Sequence, residues 1–293
     1  MRGSTLQKAR KQGFTLIELS IVLVIIGLIV GGILVGQSLI GAAAARATVA
    51  QIEKYNQAVN TFRGKYGYLP GDIRDPDASS FGFAARGLYP GEGDGNFLIE
   101  GVNSNGPGQN GNTNVFGETA MFWVDLSQSR LIEGGFNTAS PSVVPATPIT
   151  GSALNLYYPQ AKLGGGNYVY VWSGGAPNSR LNGLNYFGIA AITEIGQYWT
   201  ASLSSTPGLT VAQAYNIDKK VDDGLPQSGR VLAWYINEDA LLVGLPSENP
   251  NTATSGSLTT CSDNGNVGGA TQQYSMEESS GSGVNCALSF QFQ

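Results

Sequence analysis

Phe14-Thr15-Leu16-Ile17-Glu18-Leu19-Ser20-Ile21-Val22-Leu23-Val24-Ile25-Ile26-Gly27-Leu28 decides the fold, because it opens a long apolar run with a single charged residue, an acid, in it. Residues 19–36 carry no charge, a run long enough for a helix to cross a bilayer. A carboxylate at a bilayer centre costs about 2.5 to 3.5 kcal/mol, so Glu18 calls for a partner. Gly27/Gly31 and Gly32/Gly36 are small residues four apart, the spacing that lets helices approach closely in lipid. Past Gly41 the chain turns Ala-rich and then amphipathic. Val49, Ile52, Tyr55, Val59, Phe62 and Tyr66 recur at intervals of three and four, one stripe of a helix. Arg46, Glu53, Lys54, Gln57 and Asn60 fall off that stripe. A continuous helix over 14–65 would be about 80 Å long at 1.5 Å per residue. Gly67 and Leu69-Pro70-Gly71-Asp72 supply the breakers that end it.

Ahead of this run stands Lys8-Ala9-Arg10-Lys11-Gln12-Gly13, basic and then abruptly small. Taken together, the two stretches resemble the prepilin signal of type IV pilins and type II secretion pseudopilins. In that family a membrane peptidase cuts after the glycine, here Gly13, and methylates the new N-terminal residue, here Phe14. The resemblance implies that Glu18, fifth in the mature chain, meets the free Phe14 amine of a neighbouring subunit during filament assembly. A secretory signal is the rival, but such signals are cut beyond the apolar region and place no acid at its start. The implied organisation is a leader over 1–13, an N-terminal helix over 14–66 and a globular domain over 67–293. Within the helix, 14–40 would be the membrane and assembly segment and 41–66 the amphipathic one. Implied partners are sister subunits, prepilin peptidase, an inner-membrane assembly platform and membrane lipid. The implied location is a bacterial inner membrane with the globular domain in the periplasm, then a pilus or pseudopilus that can reach the cell surface.

Charge and cysteine content agree with export. The chain has 16 Lys and Arg against 21 Asp and Glu, a net charge of −5. Loss of Arg2, Lys8, Arg10 and Lys11 with the leader leaves 12 against 21, or −9. An acidic mature chain argues against coating nucleic acid, and a basic leader fits the cytoplasmic side of a membrane. With no His, a Cys/His zinc site and histidine acid–base catalysis are excluded. Cys261 and Cys286 are the only cysteines, and in an exported chain they most simply form one disulfide. Two buried thiols are the alternative. Closing that loop would stabilise by about 3.5 kcal/mol on the chain-entropy view.

Beyond residue 67 the composition shifts to Gly, Asn, Ser and Tyr, and residues 90–114 read as loop. Gly117-Glu118 opens a short amphipathic helix through Met121, Phe122, Val124, Leu126, Leu131 and Ile132, ending at Gly134-Gly135. Residues 154–158, 168–172, 186–192 and 231–236 are strand candidates, rich in aromatic and β-branched side chains. Residues 209–220 read as a helix with Thr206 as its cap and Pro207 near its first turn. The expected class is α+β: the amphipathic half of the long helix packed on an antiparallel sheet, with long Gly/Asn-rich loops. The Leu69-Pro70-Gly71-Asp72, Gly93-Asp94-Gly95-Asn96, Gly117-Glu118 and Asp222-Asp223-Gly224 stretches extend the pilin-like resemblance across most of the chain.

A structural calcium is the one cofactor the sequence puts forward. Glu92, Asp94 and Asn96 alternate in a Gly-rich loop, as ligands do in the first half of a calcium loop, and Asp218, Asp222 and Asp223 form a second acidic group. The competing reading is turn geometry, for which Asp-Gly pairs are equally suited. Catalysis has little support, since no nucleophile elbow or phosphate loop is present. The sequence therefore points to a structural subunit, pilin or pseudopilin. Its mature length of 280 residues favours a minor or specialised one, and Glu18 favours one within the helical stack. The alternatives are a surface pilin acting in adhesion or DNA uptake, and a membrane-tethered enzyme. The resemblance predicts that Gly13→Val leaves the leader attached, read as an unshifted band on a gel from cells that hold the peptidase. Processing at the normal rate would count against the assignment.

Overall fold

The computed structural model describes residues 15–87, 91–101, 117–141, 147–173, 183–196, 203–235, 247–248, 256–265, 267 and 270–292. In chain order the elements are α1 (Leu16–Tyr66), α2 (Asp77–Ser80), α3 (Glu118–Gln128), β1 (Ile149–Thr150), a 3-10 helix (Gly151–Leu156), β2 (Asn167–Ser173), β3 (Asn185–Ile195), β4 (Leu203–Thr206), α4 (Val211–Val221), β5 (Val231–Leu232), β6 (Trp234–Tyr235), β7 (Ser247–Glu248), β8 (Ser262–Asp263), β9 (Gln273–Tyr274), a second 3-10 helix (Ser279–Gly281) and β10 (Leu288–Gln291). The chain divides into two compact units, residues 1–43 and 44–293. The architecture is α+β, a long apolar helix followed by an antiparallel sheet domain.

In the first unit the side chains of α1 from Leu16 to Ile40 are largely exposed, including Leu16 at 89 % and Leu28 at 72 %. Among the described residues α1 is the one helix long and apolar enough to cross a membrane.

The second unit starts on the helical stripe read from the sequence. Val49, Ile52, Tyr55, Ala58, Val59 and Phe62 are buried, Tyr66 is half-buried, and Arg46, Glu53, Lys54, Gln57 and Asn60 lie toward solvent. Tyr55 meets Trp123 of α3 edge-on at 5.0 Å and Phe187 of β3 at 6.2 Å. Gln51 pins the helix polar-side: its Nε2 donates to the Gln160 carbonyl at 2.9 Å and its Oε1 accepts from Lys162 N at 2.8 Å.

Strand β3 is the spine of the sheet. Residues 186–189 pair with β2 on one edge and β10 on the other, while Glu194 and Ile195 pair with β1 and β4, all antiparallel. β5 extends the β10 edge. A bulge between Ile192 and Glu194 shifts the register toward β4. All seven residues of β2 are buried, so both faces of that strand are covered and period-2 alternation is absent. The disulfide joins Cys261 to Cys286, both fully buried, and Cys286 exchanges backbone hydrogen bonds with Leu209 at 2.9 and 3.0 Å.

Several local expectations are corrected. Residues 154–158 form the end of a 3-10 helix and a turn instead of a strand. Leu154 and Tyr158 are buried but Leu156 is 50 % exposed, which is a helical spacing, whereas a strand would put all three on one face. α3 stops at Gln128, well before Gly134. Arg130 takes the left-handed conformation at φ 59, and Leu131 N donates back to the Leu126 carbonyl at 3.0 Å, closing the helix end. The cap of α4 is Thr210, in a capping box with Gln213, while Thr206 ends β4. Residues 231–235 split into β5 and β6, which pair with different strands, and Ile236 lies outside the described residues. Because Phe62 is fully buried among Tyr66 and Phe83, Phe62→Ala is expected to destabilise the domain by about 3 to 5 kcal/mol, measured by denaturant unfolding.

Candidate functional site

Two places in the chain concentrate chemistry, and the first is the start of α1. Gly13 and Phe14 lie outside the described residues. Thr15 caps the helix: its hydroxyl accepts from Glu18 N at 3.3 Å, and Glu18 Oε2 accepts from both Thr15 N and the Thr15 hydroxyl at 2.8 Å. This is a Thr-x-x-Glu capping box, and it satisfies amides that a helix start otherwise leaves open. The motif alone does not single out Thr15 as the cap, although its position three residues before Glu18 is a local signal. Both bonds fall on Oε2, so Glu18 Oε1 has no partner among the described residues. Around it Leu16, Ile17, Leu19 and Ile21 are exposed. The geometry can therefore present one anionic oxygen in an otherwise apolar surface.

The second place is a carboxylate cluster at the turn after α1. Asp72 follows Leu69-Pro70-Gly71, and Glu118 opens α3, where an acid favours the helix N-terminus. The loop 91–101 wraps both. Gly95 N and Phe97 N donate to the two oxygens of Asp72 at 2.7 Å, and Gly93 N and Glu100 N donate to Glu118 at 2.9 and 2.8 Å. Gly71 has φ +87, and a Cβ there would sit 2.3 Å from the Glu118 carbonyl oxygen, so this crossing needs glycine. Beside the cluster, the Arg86 guanidinium is committed to Asp125 at 2.6 Å, with both side chains fully buried, and Gly71 N also donates to Asp125.

Asp72, Asp94 and Glu118 each bring one carboxylate oxygen within 4.8 Å of the others. Of the loop residues expected to act together, only Asp94 belongs to this group. The Glu92 carboxylate instead lies over Gly87, where a Cβ would be 1.6 Å from its Oε2. Asn96 turns its amide nitrogen to Asp94 at 3.1 Å and to Glu100 at 3.2 Å. Asp72 and Glu118 carry no sequence signal as members, because only folding brings the two turns together. Burial pushes the Asp72 carboxyl up to about 7 against the amides of Phe97 and Gly95, with Asp94 adding repulsion. Burial and the charge of Asp72 push Glu118 well above the ordinary carboxyl range, and burial raises Glu100. An all-oxygen donor set of this kind could hold a hard cation such as calcium and suits zinc poorly.

Asp218, Asp222 and Asp223 do come together, also within 4.8 Å. Asp218 accepts from the Tyr274 hydroxyl at 2.7 Å and Gly224 N at 3.1 Å, Asp223 from Leu225 N at 2.8 Å and the Ser228 hydroxyl at 2.7 Å, and Asp222 Oδ2 from Arg230 N and Val231 N. Every carboxylate oxygen except Asp222 Oδ1 is already engaged, Asp218 Oδ2 by Tyr274 of β9 and the others in closing the turn after α4. Burial raises Asp218 to about 7. Separately, a groove of about 770 Å³ lies beside α1, lined by Gln51, Lys54, Tyr55, Phe136, Asn155 and Lys162. Its Lys54–Glu133 pair is solvent-exposed.

Against known proteins, residues 8–34 match the prokaryotic N-terminal methylation motif, the prepilin signature of type IV pilins and pseudopilins. That signature and the apolar helix fit a membrane-anchored, single-pass precursor processed as a prepilin. No curated protein and no solved structure matches the chain.

Because burial raises Asp72 to about 7 and holds Glu118 above the ordinary carboxyl range, their contribution to stability is present at low pH and lost as pH rises, through about 7 for Asp72. With a chelator present, the melting temperature of the protein is expected to fall between about pH 5.5 and about pH 8, and calcium bound at this cluster would restore it at the higher pH. A melting temperature indifferent to calcium at both pH values removes calcium from the domain.

Proposed function

We propose that this chain is a pilin or pseudopilin that prepilin peptidase cuts between Gly13 and Phe14 and methylates on Phe14. The mature subunit then polymerises through the apolar part of α1. The observation that carries this reading is Glu18. It is the one acid in an exposed apolar stretch that bears the matched motif, and its Oε1 is without a partner among the described residues while Oε2 caps the helix. In lipid, the protonated amine of a neighbouring Phe14 is a fitting partner, because a charge-assisted hydrogen bond is weakly screened there. Such a pairing sets the axial register of an incoming subunit and compensates a charge that is costly alone.

The geometry separates the two jobs of Glu18. Glu18→Ala removes both the cap and the charge. Glu18→Gln keeps an acceptor for Thr15 but loses the charge. Both variants are expected to be processed and inserted normally yet to fail to enter filaments, read by shearing cells and probing the sheared fraction against the membrane fraction. Normal incorporation of Glu18→Gln would show that the cap alone matters and would refute the pairing.

The acid also supports a subunit within the stack of a filament. The secretion pseudopilus is preferred over a surface pilus. An adhesin or DNA-uptake pilin would call for an exposed basic or aromatic patch, and the mature chain is acidic overall.

A further inference from the structure

Asn56 interrupts the buried stripe of α1. It follows Ile52 by four residues and precedes Val59 by three, and both of those are buried. A polar group set among apolar ones is costly unless something bonds it. Yet Asn56 Oδ1 is buried with no hydrogen-bond partner among the described residues. The side chain lines a pocket of about 240 Å³ between α1, the end of α4, and the strands β5 and β10. Phe290 of β10 and Phe292 just beyond it give this pocket an apolar wall, with Val221 of α4 beside them at 44 % exposed. Phe292 packs on Phe187 of β3 at 4.3 Å, so the wall is continuous with the core.

Two charges of opposite sign complete the lining. Glu53 stands three residues before Asp-free Asn56 on the same side of α1, and Arg230 stands immediately before β5. Both residues are exposed, and no ion pair among the described residues uses either. The Arg230 backbone is held: its N donates to Asp222 Oδ2, and its carbonyl accepts from Gln291 N at 2.8 Å. The guanidinium therefore starts from a set position.

We propose that this pocket binds one free α-amino acid with an apolar side chain. The Glu53 carboxylate and Asn56 Oδ1 take its ammonium, the Arg230 guanidinium takes its carboxylate, and Phe290 and Phe292 receive its side chain. A guanidinium matches a carboxylate with two parallel N–H bonds, and an ammonium brings three donors to acceptors that lack them. The amide torsion of Asn is soft, so its oxygen turns toward the pocket once a donor arrives. An anion without an ammonium would meet Glu53 as a like charge, and a cation without a carboxylate would meet Arg230. An uncharged apolar molecule would use neither. Size sets the rest: a cavity of about 150 Å³ holds one benzene, so about 240 Å³ takes a ring-sized side chain with its α-carbon groups. Exposed charges are screened by water, so binding is weak, with a dissociation constant on the order of 1 mM.

The pocket lies wholly within the second unit, so its test does not depend on filament assembly. L-Phenylalanine is titrated into the full chain in detergent micelles and followed by amide NMR. Saturable shifts are expected at residues 52–56, 230–231 and 290–292, with β1 unmoved. N-Acetyl-L-phenylalaninamide has the ring and neither charge, and phenylethylamine lacks the carboxylate; each should bind about tenfold more weakly. Arg230→Gln should weaken L-phenylalanine about tenfold and leave phenylethylamine unchanged, a pattern that loss of the fold would not give. The proposal is overturned by the absence of saturable shifts up to about 20 mM. Equal binding of the uncharged amide overturns it too, as does an Arg230→Gln variant that keeps its affinity for L-phenylalanine.

Discussion

The domain depends on one helix face. Val49, Ile52, Tyr55, Val59 and Phe62 bury a single stripe of α1, and Tyr55 alone touches both α3 and β3 through Trp123 and Phe187. Each such side chain contributes roughly 1.5 to 3 kcal/mol through burial, offsetting the ordering of a loop-rich chain. Phe187 and Phe122 also meet Phe292 beyond β10, so the sheet's late strand and the first helix share a core. Gln51 adds polar pinning at the rim, where it bonds the 160–162 segment on both its amide atoms.

Against that apolar core the domain places carboxylates where a shortage of cations makes them costly. Arg86 neutralises Asp125 in full burial, an arrangement that demands both partners because either alone would be an uncompensated buried charge. Asp72, Glu118 and Glu100 have no such partner among the described residues, and backbone amides of the enclosing loop serve Asp72 and Glu118 instead. Hydrogen bonds from amides favour the ionised form while burial and mutual repulsion favour the neutral form, and burial is the larger effect. The fold of residues 91–101 is thereby tied to the charge state of acids supplied by two other segments.

At the other end of α1 the balance is reversed, with one acid in an apolar surface. Thr15 and Glu18 close the helix start within a single turn, using Oε2 twice and leaving Oε1 without a partner among the described residues. The cap keeps the carboxylate at the helix origin, within the span of the matched methylation motif. Helix capping and intermolecular pairing are compatible because they use different oxygens of one group.

How much of this was legible in the chain follows from the range of each interaction. The apolar run at 19–36, the stripe from Val49 to Phe62 and the strands at 168–172 and 186–192 are local patterns, and they were legible for that reason. The motif around Glu18 is likewise a pattern of neighbours in sequence. Residues 154–158 resemble a strand in aromatic and apolar content, but content does not say which side chains share a face. The end of α3 falls short of the glycines because a left-handed Arg130 closes it. Only the tertiary structure joined Asp72 and Glu118 to Asp94 while sending Glu92 elsewhere. Contacts between distant segments carry no period, so composition names the acids but the folded backbone decides which of them meet.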